Sequence, residues 1–348
     1  MKDDKESLSQ FENRKQDHIR LALEEEIQAQ GQSGLERIRL VHEALPDLDF
    51  NEITLSDSYW GTEVSVPLFI SSMTAGHTNA LDLNSRFAVA AQTRGWAMGV
   101  GSQRRELSDP EAAQEWKFIR KNAPRAVLFG NLGIAQVITS SVRDIQTLVD
   151  NLQARALFVH LNPLQECLQP EGTPQFKNGV QKITQLAREL SVPIIIKEVG
   201  CGIGASTFKR LQDTGVKAVD VAGLGGTHWG RLEGRRSEDS TPQAQAAKTF
   251  ANWGLSTVES LLEGRMSLVP YQLWASGGVR SGLDAAKLFA IGAEKVGFAQ
   301  PLLKAALHSE AELLRVMEQL EYELKIALFC TGSRTVQELK ERRLWKWN

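Results

Sequence analysis

Residues 271–303 read YQLWASGGVRSGLDAAKLFAIGAEKVGFAQPLL. An apolar run ends in Ser276-Gly277-Gly278, a stretch of helical spacing follows with Asp284 in its first turn, and a second apolar run ends at Ala299-Gln300. Continuous apolar runs, unlike alternating ones, suit parallel strands covered on both faces, and the strand–helix–strand order is the βαβ unit. The same pattern recurs upstream in VPLFISSM (66–73), GWAMGV (95–100), RAVLFGNL (125–132), ALFVHLN (156–162), VPIIIKEV (192–199) and VKAVDVAG (216–223). Helix-like segments lie between them at 83–93, 109–121, 141–153, 178–190, 206–214 and 282–292. Together with YQLWASGG and EKVGFAQ (294–300) this makes eight strand–helix units over about 235 residues, the size of a (β/α)8 TIM barrel. An open doubly wound sheet uses the same alternation, but count and span favour the barrel. Residues 1–65 read as an N-terminal extension, helix-like and charge-rich over 10–30. Within it TLSDSYWGTEVSVP (54–67) reads as a hairpin closing the barrel bottom, and residues 66–348 as one α/β barrel domain with C-terminal helices.

The 348 residues are 42% hydrophobic, and 40 Lys and Arg nearly cancel 42 Asp and Glu, leaving a formal charge of −2. That balance argues against broad nucleic-acid binding, which needs a concentrated positive field. No run approaches the roughly 18 apolar residues of a membrane span. The three cysteines, Cys167, Cys201 and Cys330, are far apart and odd in number, so they form neither a disulfide framework nor a zinc site. The opening MKDDKESLSQ has no apolar run of a signal peptide. A cytoplasmic enzyme that needs neither nucleic acid nor membrane is the expectation.

In a barrel the catalytic groups belong at the C-terminal strand ends. Those ends read Ser71-Ser72-Met73-Thr74, Ser102-Gln103-Arg104, Asn131, His160 through Glu166, Lys197-Glu198, Gly225-Gly226-Thr227, Ser276 through Arg280, and Ala299-Gln300. Polar residues follow apolar runs at the one rim where a barrel can use them. Glycines after the seventh strand let backbone N–H groups approach a phosphate, though a tight turn of positive φ would also require them. Lys197, after Ile194-Ile195-Ile196, needs an anionic partner. A bound group carrying negative charge, or else Glu198 or another barrel acid, could serve, and strand alternation weakens Glu198 in that role. Glu166 suits Mg²⁺ completed by substrate oxygens, although a lone loop carboxylate is ordinarily a solvated charge. Arg14 and Lys15, with His18 one turn beyond Arg14, read from their surroundings alone as solvated helix charge. The stretch GGTHWGRLEGRRSEDSTPQ (225–243) is rich in Gly, Arg and Ser and reads as a mobile lid or a disordered surface loop.

The motifs NRKQDHI (13–19), SSMTAG (71–76), GSQR (101–104), GNLG (130–133), HLNPLQE (160–166), KEVGCGI (197–203), GGTHW (225–229), NWG (252–254) and SGGVRSGLD…GFAQPLL together resemble the type 2 isopentenyl-diphosphate isomerases. HLNPLQE and RKxDHI are the discriminating ones; SGGVR belongs to a wider group of FMN enzymes. The resemblance implies interconversion of isopentenyl and dimethylallyl diphosphate in isoprenoid biosynthesis, with reduced FMN, NADPH as the reductant and Mg²⁺ on the diphosphate. It implies FMN contacts at Ser71, Ser72, Met73, Thr74, Ser102, Asn131, Lys197, Thr227, Gly277, Gly278, Val279, Ala299 and Gln300. Arg14, Lys15, Ser102, Gln103 and Arg104 would hold the diphosphate, Gln165 would face its reacting end, and Glu166 would reach Mg²⁺. His160 and Asn162 belong to the same catalytic motif. The family's habit is a homo-oligomer, tetramer or octamer. Ala75 stands where the family usually has a second glycine, and His228 where a small residue such as serine is common. The enzymatic alternative is an FMN-dependent 2-hydroxy-acid oxidase or dehydrogenase, with His228 taking the α-proton and Arg231 holding the carboxylate. That reading leaves HLNPLQE and Arg14-Lys15 without a purpose. A flavin or phosphate sensor on a degraded barrel would require missing site residues, and nearly all are filled.

Overall fold

A computed structural model describes residues 8–73 and 80–348. The barrel strands are β1 (Leu68–Ile70), β2 (Ala97–Gly99), β3 (Val127–Gly133), β4 (Ala156–Leu161), β5 (Ile194–Glu198), β6 (Ala218–Asp220), β7 (Gln272–Ala275) and β8 (Lys295–Phe298). They lie parallel and in chain order, and β8 closes on β1 through Val296↔Leu68, Gly297↔Phe69 and Phe298↔Ile70. Each falls inside an apolar run read from the sequence, except that β3 extends one residue past its run, to Gly133. All residues of β1, β2, β3, β5, β6 and β8 are buried, as a sheet walled by helices outside and side chains inside demands. The helices that bear on the site are α1 (Leu8–Leu21), α2 (Pro163–Leu168), α3 (Trp229–Arg236), α4 (Pro242–Thr249) and α5 (Gly282–Ala290). No described helix is long and apolar enough to cross a membrane.

Inside the barrel, Phe69, Phe129, Phe158, Ile195 and Trp274 form one packed cluster with Tyr59, Val64 and Trp60. The last three come from a hairpin, Asp57–Tyr59 paired with Thr62–Val64. Its turn residues Trp60 (φ 47°) and Gly61 (φ 82°) are both left-handed, as the twist-matching two-residue turn requires. Tyr59 meets Phe129 and Trp274 edge-on at 5.2 and 5.4 Å, and Trp60 stacks on Trp274 at 5.7 Å. Rings from the hairpin thus plug the N-terminal end of the barrel.

The 225–243 stretch is neither disordered nor a bare loop: it contains α3 and leads into α4. Composition misleads here because Arg231 acts as a tether. Its guanidinium donates to the carbonyls of Ala251 (2.7 Å), Glu26 (3.2 Å) and Gln28 (2.8 Å) and to Asn252 Oδ1 (2.6 Å). The N-terminal segment is laced to the same place, Ala29 N–H donating to Gly226 O (2.8 Å) and His228 N–H to Ile27 O (3.0 Å). This lacing brings α1 over the barrel's C-terminal end. At the other terminus Trp345–Trp347 pairs antiparallel with Ile38–Leu40, so the final tryptophans pack on their own chain.

Candidate active site

A cavity opens at the C-terminal rim. Its wall is built from Ser71, Ser72 and Met73 after β1, Ser102 and Arg104 after β2, Asn131 in β3, His160 in β4, and Asn162, Gln165 and Glu166 at α2. Lys197, Thr227, Gly277, Gly278, Val279, Ala299 and Gln300 complete the circuit, and α1 contributes Arg14 and Lys15. The wall therefore gathers the expected site residues with two exceptions. Thr74, like Ala75, lies outside the described residues. Gln103 points elsewhere: its Nε2 donates to Glu106 Oε1 (2.9 Å) and Leu148 O (3.2 Å), and its Oε1 accepts the Asn131 amide (3.1 Å). With both amide hydrogens engaged, Gln103 braces β3 from behind, and its side chain does not reach the cavity as a diphosphate ligand would.

The partner of Lys197 is Asp220, its register neighbour across β5 and β6. Lys197 Nζ lies 2.6 Å from Asp220 Oδ2 and 3.0 Å from Ser276 Oγ, and Ser276 donates back to Asp220. Glu198 faces away, as strand alternation requires. Its Oε2 accepts the N–H groups of Val199 (2.7 Å), Gly200 (2.7 Å) and Cys201 (2.5 Å), shaping the loop behind the cavity. Burial pushes the Glu198 carboxyl up to about 7.

Two features fit a flavin nucleotide. Ser71 Oγ and Ser72 Oγ are buried without a protein partner, a deficit of about 1–3 kcal/mol each that a polar group bound in the cavity would remove. Glycines also clear space around these hydroxyls: a Cβ at Gly99 would stand 2.5 Å from Ser72 Oγ, and one at Gly297 would stand 2.6 Å from Ser71 Oγ. The Gly277-Gly278 pair has φ of 96° and 74°, and a Cβ at Gly278 would meet the Gly225 backbone at 2.7 Å. The tight-turn requirement is therefore real, and the turn lies on the cavity wall.

Asn131 Nδ2 donates to Val100 O (3.1 Å), which directs its Oδ1 to His160 Nδ1 at 2.9 Å. From this orientation Nδ1 carries the proton and Nε2 keeps its lone pair. Burial, reinforced by Lys15, Lys197 and Arg104, lowers the His160 pKa to about 3. Asn162 Nδ2 donates to Gln165 Oε1 (3.1 Å) and Glu166 Oε1 (2.8 Å), while the Thr173 amide holds Glu166 Oε2 (2.5 Å). Gln165 Nε2 reaches 2.9 Å to Glu233, a buried carboxylate on α3 that also meets His18 (3.1 Å) and Arg236 (2.6 Å). Burial alone would raise Glu233, but His18 and Arg236 outweigh it and bring the carboxyl to about 2; burial takes His18 to about 4. Among the described residues no group of three His, Cys, Asp or Glu side chains could hold a metal.

Residues 137–346 match the family model of FMN-dependent dehydrogenases. The chain is 54% identical over 343 residues to an isopentenyl-diphosphate delta-isomerase of Bdellovibrio bacteriovorus, covering 97% of this chain and 99% of that one. The isomerase of Legionella pneumophila strain Paris is 53% identical (96% and 98% covered), and that of a Nostoc species 44% (95% of each). The chain belongs to the isopentenyl-diphosphate delta-isomerase family. The FMN-dehydrogenase match places it in the flavin-dependent type 2 branch. Solved structures share the fold at low identity. A flavocytochrome b2 variant with benzoylformate superposes with a TM-score of 0.68 at 19% identity, covering 97% of this chain and 84% of that one. A mandelate oxidase variant with (S)-mandelic acid gives 0.65 at 17%, covering 99% and 98%.

The isomerase family and the oxidase alternative part at His228 and Arg231. His228 is fully buried and N-caps α3: its Nδ1 accepts the Arg231 amide (3.1 Å) and its Nε2 faces Trp253 O (3.2 Å). A serine would cap the same helix, so the departure at His228 keeps the capping role of the position. With Arg231 spent on backbone carbonyls, neither side chain is placed to abstract or hold anything in the cavity. Sequence reasoning missed Asp220 and Glu233. An acid inside the apolar run VKAVDVAG was the available signal for Asp220; Glu233, in a charge-rich stretch, offered none.

Proposed function

We propose that the chain interconverts isopentenyl and dimethylallyl diphosphate in the rim cavity. Reduced FMN would sit against Ser71, Ser72, Met73, Thr74, Ser102, Asn131, Lys197, Thr227, Gly277, Gly278, Val279, Ala299 and Gln300. The observation that carries this reading is that Arg14 and Lys15, from the far end of the sequence, line the same cavity as Lys197 and the glycine pair. When bound, reduced FMN would supply an electron-rich ring and a protonable nitrogen. The rest falls to the protein. Arg14, Lys15 and Arg104 hold the diphosphate by charge-assisted hydrogen bonds, which are the strong ones. Glu166, already oriented by Asn162, would hold Mg²⁺ with its carboxylate, and the ion would offset the charge of the diphosphate. Gln165 faces the reacting carbons, its amide fixed between Asn162 and Glu233. His160, held neutral, presents Nε2 without adding a charge. Isomerisation adds a proton to the terminal alkene carbon and removes one from the allylic position, with no net oxidation. NADPH as the reductant, tetrameric or octameric self-association and a cytoplasmic location belong to the same proposal.

The test is anaerobic incubation with isopentenyl diphosphate, Mg²⁺ and FMN, with and without NADPH. Dimethylallyl diphosphate formed only when the flavin is reduced is the expected outcome. Bound FMN with no product would overturn the reading.

A further inference from the structure

We propose that Gln28 is a positioning residue coupling the cofactor half of the cavity to the substrate half. The proposal rests on the reading of the site given above. Gln28 is 4% exposed and lies where the N-terminal segment crosses the rim. Its Nε2 donates to Ala22 O (2.8 Å), at the end of α1, and to Thr227 Oγ1 (3.1 Å). Its Oε1 accepts from Arg280 Nη2 (3.3 Å), and Arg280 also reaches Gln300 Oε1 (3.4 Å). Thr227, Arg280 and Gln300 are on the cavity wall; Thr227 and Gln300 belong to the set assigned to the cofactor, and Arg280 follows Val279 of that set. α1, held at its C-terminal end, carries Arg14 and Lys15 into the part assigned to the diphosphate.

One primary amide therefore uses both hydrogens and its oxygen to join a helix end, a hydroxyl and a guanidinium. An amide is the group that donates and accepts at once, which neither a carboxylate nor an aliphatic side chain does. A cofactor that fixes Thr227 and Arg280 gives Gln28 stationary partners, and Gln28 in turn holds α1 over the mouth. By linkage, the diphosphate tightens the cofactor by the same factor.

The experiment titrates FMN into the full-length chain by flavin fluorescence, with and without isopentenyl diphosphate and Mg²⁺. Wild type should bind FMN about 5-fold or more tighter with the diphosphate present. Gln28→Ala should lose that enhancement while its affinity for FMN alone stays within about threefold, and its KM should rise with kcat retained. Gln28→Glu keeps the acceptor for Arg280 but lacks the donor to Ala22 O; it should also lose the enhancement, which separates coupling from a folding defect. FMN should protect the wild-type backbone from trypsin at Arg14 and Lys15, and should fail to protect either variant. Wild-type coupling in a folded variant, or no coupling in wild type, overturns the proposal alone. Failure of wild type to bind FMN or turn over isopentenyl diphosphate overturns the reading of the site as well.

Discussion

Two buried lysines mark the two ends of the barrel. Lys295, at the start of β8, lies 2.6 Å from Asp57 of the plugging hairpin, under the Tyr59 ring at 4.9 Å. Lys197, at the end of β5, lies at the same 2.6 Å from Asp220 and shares Ser276 with it. The ion pairs are geometrically alike, so pair geometry alone does not separate the two lysines. Their surroundings do. Lys295 is closed in by the aromatic plug, and its burial lowers its pKa against the pull of Asp57. Lys197 stands on the wall of a cavity among hydroxyls without partners and glycines that keep space clear. A barrel filled at one end and hollow at the other puts the same ion pair in opposite surroundings.

The largest test of that contrast is to remove each lysine. Lys197→Ala should cost FMN retention and about 10²–10³-fold in turnover, and it should destabilise the chain by about 3–5 kcal/mol because Asp220 is left buried and unpaired. Combining Lys197→Met with Asp220→Asn should restore stability but not flavin binding. Lys295→Ala should lower stability by only about 1–3 kcal/mol, since Asp57 can rehydrate, and should leave the flavin content of the folded protein unchanged. Urea titrations with flavin absorbance read both. Next in size, replacing Arg14 and Lys15 by alanine should raise KM about 10–100-fold with the FMN content kept, as the loss of charged hydrogen bonds implies. An unaltered KM would leave them as buried structural cations with no part in holding substrate.

A pH effect sharpens the same contrast. His160, with its pKa lowered to about 3 from 6.5, is neutral in the folded chain while the unfolded chain takes up a proton below 6.5. Its contribution is fully present above that value and is lost as pH falls toward the folded pKa. From 6.5 down to about pH 5 it should cost about 1.5 kcal/mol in urea titrations, and His160→Asn should remove that share of the slope while leaving the share due to His18, which burial also lowers. The smallest effect on turnover concerns His228. His228→Ser keeps the cap but should lose about 1–3 kcal/mol to the space left by a buried ring, and His228→Ala should lose about 1 kcal/mol more, with turnover unchanged in both.

The barrel was legible because parallel strands buried on both faces leave unbroken apolar runs, and each of the eight runs coincides with a strand to within a residue at its C-terminal end or encloses it. The strand-end residues were legible for the complementary reason: polar side chains directly after such runs have one rim to occupy. What the sequence hid depends on contacts across the fold. Asp220 pairs with Lys197 through strand register, 23 residues apart. Gln103 turns inward because Glu106 and Leu148 O complete its amide. The 225–243 stretch looked solvated by composition, yet it is ordered by Arg231 reaching carbonyls as far away as Glu26. Arg14 and Lys15 were visible as function only through resemblance, since only the lacing of residues 27–29 to 226–228 carries their helix over the mouth.

The central claim is that the hollow end performs a proton relocation without net redox change. The most direct test is single-turnover conversion of isopentenyl diphosphate in D₂O under anaerobic conditions by the chain with reduced FMN and Mg²⁺. The account predicts deuterium in a methyl group of dimethylallyl diphosphate and a flavin spectrum that is still reduced after turnover. Flavin reoxidised in proportion to product, or product free of deuterium, would contradict it.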